Sequence, residues 1–121
     1  MITIFLALAT TAAPDTGHFF PKTQAVLTEY GACLARKTAD LEPSGAPAQD
    51  VISAAITACK TYQETSLIAI IVDADKRYPN RKGQNDLGAE KALDHIEHRM
   101  RENLMLQVLE RRSERNIHAK N

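Results

Sequence analysis

The sequence offers one pair of side chains with the chemistry and spacing of metal ligands. His95 and His98 lie three residues apart in the segment DHIEH. On an α-helix, positions i and i+3 share a face, so both imidazoles can approach one metal ion, with Glu90 or Glu102 as a third ligand. Metal sites normally have three or four ligands, and no matching Glu-x-x-His motif lies on a partner helix. The pattern therefore favours two surface histidines beside acidic residues, with metal binding as the alternative.

The two cysteines have a spacing that predicts a disulfide. Cys33 and Cys59 each lie thirteen residues from Ala46, in the middle of the turn sequence PSGAP. In an antiparallel helical hairpin, residues at equal distances from the turn lie at equal height, and both cysteines fall on apolar stripes. We therefore expect an intramolecular bond between them. The alternative is two free thiols buried as small apolar side chains in a cytosolic bundle.

Catalytic and cofactor-binding motifs are missing from the sequence. It contains no Gly-x-Ser-x-Gly elbow, phosphate loop or glycine-rich dinucleotide motif. Asp73 and Asp75 are close carboxylates, but positions i and i+2 do not face each other on a helix, so we interpret them as solvated. We accordingly expect no catalytic residues and no cofactor.

A basic cluster lies at a predicted helix–helix turn. It consists of Lys76, Arg77, Arg81 and Lys82, with Tyr78 among them. These residues can contact phosphate or an anionic surface, although charged residues are ordinary at such a turn. The whole chain carries 15 basic and 15 acidic residues, which argues against a nucleic-acid partner.

The N-terminus is typical of an export signal. An apolar run, Ile2–Ala9, is followed by small residues and then Pro14, but no Lys or Arg precedes it. We expect a signal peptide over residues 1–12, cleaved after Ala12, and a periplasmic or secreted protein. The alternative is a buried N-terminal strand or helix of a cytosolic domain. The run is too short for a membrane span, and no later segment is long enough after signal removal.

Hydrophobic periodicity predicts an all-α protein with three helices. The predicted elements are an extended segment at 13–21, a helix from Lys22 to Asp40, a helix from between Ala46 and Asp50 to Tyr78, a polar turn from Asn80 to Gly88 and a helix from near Asp86. The segment Leu67–Val72 is rich in β-branched residues and can be read as a strand, but it has no strand to pair with. The final polar residues from Arg111 to Asn121 are expected to fray.

These helices predict a three-helix bundle, or a long hairpin of helices 2 and 3 with helix 1 against it, stapled by the disulfide. We assign residues 22–118 to one domain and 119–121 to a frayed tail. Phe19 and Phe20 are the expected cover for Ile70 and Ile71, with a second copy of the chain as the alternative. Glu97 and Arg101 have the i, i+4 spacing of an exposed ion pair.

The third helix carries more apolar residues than one partner helix can cover. They are Leu104, Met105, Leu106, Val108 and Leu109. Helix 1 or a homodimer can bury the surplus. The sequence as a whole favours a small exported helical protein that binds another protein or an envelope component without catalysis. The alternative function is metal binding or sequestration by His95 and His98.

Overall fold

A computed structural model describes residues 19–120, and within this range the fold is entirely helical. The described residues form four α-helices, α1 (Pro21–Leu41), α2 (Ala48–Ala58), α3 (Lys60–Arg77) and α4 (Lys82–Lys120), and 3₁₀ turns at Glu42–Ser44 and Pro79–Arg81. The described residues form no strand, and Leu67–Val72 lies within α3. The predicted signal peptide lies outside the described residues. No described helix has the length and apolar character to cross a membrane.

The turn after α1 follows the local sequence. Pro21 occupies the first turn of α1, where its missing N–H is no loss. After the helix ends, Gly45 adopts φ 77°, a left-handed conformation that favours glycine, and its N–H donates to the Glu42 carbonyl at 3.2 Å. The chain then reverses into α2.

The predicted second helix is interrupted at Cys59, so the prediction of one continuous helix was wrong. Cys59 has φ −100° and ψ 20°, and its N–H donates to the carbonyls of Ala55 at 3.0 Å and Ile56 at 3.2 Å. Neither proline nor glycine lies within α2 or α3 to explain the break. We attribute it to packing at the covalent link between Cys59 and α1.

The last helix is longer than predicted at both ends. It begins at Lys82 rather than near Asp86, and it extends to Lys120, through the described part of the segment that was expected to fray. At its start, the Asn85 side chain contacts the end of α3. At its end, two arginines contact the turn after α1, so tertiary contacts hold both extensions in helical form.

The core lies between α1, α2, α3 and α4. Its buried apolar side chains include Leu27, Tyr30, Leu34, Ile52, Ala55, Ile70, Leu93 and Leu104. Phe19 packs against this cluster, as expected for a cover over its Ile70 end. Phe20 does not share that role, since its side chain is 40% exposed and its ring lies under the Arg77 guanidinium, 4.4 Å from the centroid.

Candidate functional site

The disulfide prediction is confirmed. Cys33 of α1 and Cys59 between α2 and α3 are bonded, with their Cα atoms 6.1 Å apart. Both residues are buried, and they belong to the same core cluster as Tyr30 and Leu34. The bond therefore staples α1 to the α2–α3 junction from inside the core.

A buried polar centre lies close to the disulfide along the bundle. The Tyr30 hydroxyl donates to Glu97 Oε1 at 2.9 Å, and Gln63 Nε2 donates to the same oxygen at 2.6 Å. Burial raises the pKa of Tyr30, and the nearby Glu97 carboxylate raises it further. Tyr30 thus remains a protonated donor. The prediction of an exposed Glu97–Arg101 pair was wrong for Glu97, which is buried against α1 and α3.

A second buried carboxylate lies at the turn after α1. Glu42 is 1% exposed and accepts hydrogen bonds from Arg112 and Arg115 of α4. Arg112 also donates to the carbonyls of Glu42 and Ala46. The hydrogen bond from Arg115 is the main cause that lowers the pKa of Glu42, and it outweighs the opposing effect of burial. We call Glu42, Arg112 and Arg115 the ionic clasp.

A third carboxylate, Asp73, corrects another prediction. Asp73 is buried rather than solvated, and it accepts the Phe20 N–H at 2.7 Å and Arg77 Nε at 2.8 Å. The bond from Phe20 ties the residue before α1 to the end of α3, and the bond from Arg77 lies within α3. Asp75 is half-buried and accepts from Asn85 Nδ2 at 3.1 Å.

Asn85 connects the end of α3 to the start of α4. It is 7% exposed, and besides Asp75 its Nδ2 lies 2.9 Å from the Tyr78 carbonyl and 3.3 Å from the Ala74 carbonyl. The same two carbonyls also accept backbone hydrogen bonds, that of Ala74 from the Tyr78 N–H at 2.7 Å and that of Tyr78 from the Arg81 N–H at 3.1 Å. Asn85 therefore adds a second donor to carbonyls at the end of α3 and ties them to the start of α4.

The histidine pair lies on the surface. Nε2 of His98 is 2.9 Å from Oε1 of Glu102, and both side chains are exposed, at 71% and 65%. His95 is also exposed. Among residues 19–120, no group of three or more His, Cys, Asp and Glu side chains is arranged to hold a metal ion. The described geometry thus gives the metal hypothesis no complete ligand set.

A groove of about 630 Å³ runs between α2 and α4. Its lining residues are Gln49, Ile52, Ser53, His98, Arg101, Glu102, Met105 and Leu106. Leu106 is 57% exposed, and Leu109, on the next turn of α4, is 52% exposed, whereas Leu104 and Val108 are buried. The bundle therefore covers only part of the apolar surplus that the sequence predicted. We call the groove with Leu106 and Leu109 the α4 face.

The α4 face and the basic connection between α3 and α4 are two candidate binding surfaces. The α4 face is formed by residues far apart in sequence that the helical packing brings together, whereas the basic connection is formed by neighbouring residues within 76–82. No protein-family model, curated protein or solved structure matches this chain, so the functional assignment depends on the geometry alone.

Proposed function

We propose that this chain is an exported helical interaction module that binds another macromolecule through the α4 face and performs no catalysis. The observation that carries the proposal is the exposure of Leu106 and Leu109 beside a concave groove. Large apolar side chains in water next to a recess are typical of protein-binding sites. Polar groups of His98, Arg101 and Glu102 border the groove and supply directional contacts.

An amphipathic helix is the partner chemistry that fits the α4 face. Such a helix buries an apolar stripe in a groove, with anchors three and four residues apart. The floor here combines the buried Ile52 with Met105 and Leu106. A second copy of this chain is one source of such a helix, because Leu106 and Leu109 themselves form an i, i+3 pair.

Site-specific photocrosslinking in the native compartment tests the α4 face. A photoreactive residue at Leu109 is expected to give a discrete adduct that a Leu106→Glu substitution abolishes. The matched control introduces the same charge at Ile68, which is 62% exposed on α3. Adducts that survive Leu106→Glu, or that Ile68→Glu removes equally, would contradict the assignment of this face.

Light scattering distinguishes the second copy from other partners. If two chains pair through the α4 face, the wild-type protein forms a dimer at high micromolar concentration, and the double variant Leu106→Glu/Leu109→Glu is a monomer. A monomeric wild-type protein would exclude the second copy and assign the α4 face to a different chain.

Export is supported by the disulfide, since such bonds form and persist mainly in oxidising compartments. The predicted signal peptide adds a separate test. Mass spectrometry of the protein from its native host is expected to show loss of residues 1–12 and no free thiols. A full-length chain with two free thiols would contradict both export and the proposed environment.

A further inference from the structure

We propose that the end of the bundle where α3 meets α4 docks onto membranes that contain anionic phospholipid. This basic end consists of Phe20, Lys76, Arg77, Tyr78, Arg81 and Lys82. All six residues are exposed, and positions 76–82 contain four cations and no acid. Clusters of basic residues are attracted to the negative potential of anionic lipid headgroups.

The two acids at the end of α3 do not cancel this charge at the surface, and the exposed Asp86, four residues after Lys82, still leaves positions 76–86 with a net charge of +3. Asp73 lies beneath it, with a side chain 3% exposed, and both of its oxygens accept hydrogen bonds from the chain. Asp75 is half-buried and accepts from Asn85. Lys76, Arg81 and Lys82 thus present positive charge outward, above carboxylates that are engaged inside the fold.

Aromatic rings hold two of the guanidinium groups in place. The Arg77 guanidinium lies 4.4 Å from the centre of the Phe20 ring, and that of Arg81 lies 5.7 Å from the centre of the Tyr78 ring. Such contacts are favourable and reduce the freedom of the cation. Arg81 is therefore preorganised to meet a phosphate group, whereas the charge of Arg77 is shared with Asp73, 2.8 Å from its Nε.

The same rings favour a lipid surface over a nucleic acid. Phe20 is 40% exposed and Tyr78 is 52% exposed, and aromatic residues of this kind settle at the boundary between headgroups and acyl chains. Beside them lies a cleft of about 310 Å³, whose lining combines the apolar Phe19, Ile70 and Ala89 with the polar Asp73, Arg77 and Asn85. Its apolar part suits a lipid acyl chain, whereas nucleic-acid binding commonly draws on more phosphate contacts than four basic residues supply.

Vesicle sedimentation tests the charge requirement. The wild-type protein is expected to bind phosphatidylglycerol–phosphatidylcholine vesicles at low salt and to dissociate from them at high salt. It should not bind vesicles of pure phosphatidylcholine. The double variant Arg81→Gln/Lys82→Gln should bind about 30-fold more weakly, since each basic residue near an anionic surface contributes roughly fivefold. The matched control Lys37→Gln/Lys60→Gln removes the same charge from exposed positions on α1 and α3 and should bind as the wild type does.

A tryptophan reporter tests the orientation, because the natural chain contains no tryptophan. Emission of the Tyr78→Trp variant should shift to shorter wavelength on adding anionic vesicles, and that of Tyr62→Trp, near the middle of the bundle, should not. Any of four results would overturn the proposal. They are equal emission shifts for the two tryptophan variants, equal losses of vesicle affinity for the two charge variants, no vesicle binding by the wild type, and tighter binding to duplex DNA than to vesicles. The Leu106→Glu/Leu109→Glu variant should retain vesicle binding, so this test is independent of the α4 face.

Discussion

The middle of the bundle and its α1–α2 end both bury a carboxylate, but they satisfy it with different donors. In the middle, Glu97 accepts from the neutral groups of Tyr30 and Gln63, close to the disulfide. At the end, Glu42 accepts from Arg112 and Arg115, whose side chains are 25% and 52% exposed. The middle is therefore held by covalent and neutral contacts, and the end by charge pairs that reach solvent.

This difference separates contacts that stabilise the whole bundle from contacts that stabilise only its end. A buried acceptor that loses its donor bears the full desolvation penalty, because water cannot replace the donor. An acceptor whose partners are partly exposed can recruit water, and its ion pairs are screened by salt. We therefore expect changes in the middle to affect global stability and changes at the ionic clasp to act locally on the end of α4.

The largest expected effect comes from removing the covalent link in the middle. The double variant Cys33→Ala/Cys59→Ala frees a loop of 26 residues in the unfolded chain. The loop-entropy argument gives a loss of about 3.5 kcal/mol in the free energy of unfolding. Urea denaturation of the variant and of the oxidised wild type measures it, and a loss below about 1 kcal/mol would show that the bond constrains the unfolded chain little.

Removing one neutral donor should have the next largest effect. Tyr30→Phe deletes the hydroxyl that binds Glu97 and leaves a buried carboxylate with a weaker set of donors. We expect a loss of roughly 1.5–3 kcal/mol, the usual range for hydrogen bonds to charged groups. Tyr62→Phe is the matched control on an exposed ring and should change the unfolding midpoint little. Equal effects of the two substitutions would contradict the role of the polar centre.

The pH dependence of stability in alkaline solution tests the same contact between Tyr30 and Glu97. Because burial and Glu97 raise the pKa of Tyr30 above its ordinary value of 10.0, the folded state retains a proton that the unfolded state loses. This contribution is present below pH 10 and is lost as the pH rises beyond it. The phenolate absorbance of Tyr30 is the difference between the absorbance of the wild type and that of Tyr30→Phe. This difference should increase with pH only when the protein unfolds. Ionisation in the folded protein near pH 10 would contradict it.

At the ionic clasp, Arg112→Gln is expected to loosen the end of α4 without unfolding the bundle. Arg112 donates to the backbone carbonyls of Glu42 and Ala46 as well as to the Glu42 carboxylate, whereas Arg115 donates to the carboxylate. Hydrogen exchange should therefore accelerate at 110–120 more in Arg112→Gln than in Arg115→Gln, with the middle of α4 unchanged. Acceleration along the whole helix would show that the end is not a separate unit.

The sequence predicted the parts of this fold that depend on periodicity and symmetry. Cys33 and Cys59 share an apolar stripe and a distance from the turn, so their pairing follows from helical geometry. The all-α class of the fold also follows from helical periodicity. The bounds of α4 do not follow from periodicity, because Asn85 and Arg112 resemble solvated residues until their partners on α3 and the α1–α2 turn are known.

The buried carboxylates were missed because charged residues are normally exposed. Glu97 lies four residues after Leu93 and seven before Leu104, and Asp73 lies three after Ile70, so each occupies a position on an apolar stripe. Their position on an apolar stripe was the feature of the sequence that could have indicated burial. What the sequence could not supply was the compensating donor, since Tyr30 and Glu97 are 67 residues apart and Phe20 and Asp73 are 53 apart.

The smallest expected effect is a contribution to stability that disappears in acid. The arginines hold the pKa of Glu42 below its ordinary value of 4.5, so the folded state releases this proton more readily than the unfolded state does. The resulting stability is fully present above pH 4.5 and is lost as the pH falls through the lowered pKa of the folded state. Stability profiles of the wild type and Glu42→Gln should therefore be separated at neutral pH and converge in acid, because a protonated Glu42 resembles glutamine. Tyr62→Phe, which changes an exposed ring outside the ionic clasp, should run parallel to the wild type over the same range. Profiles of Glu42→Gln and the wild type that stay parallel below pH 4.5 would mean that protonation of Glu42 does not weaken the clasp, and the role assigned to its charge pairs would not hold.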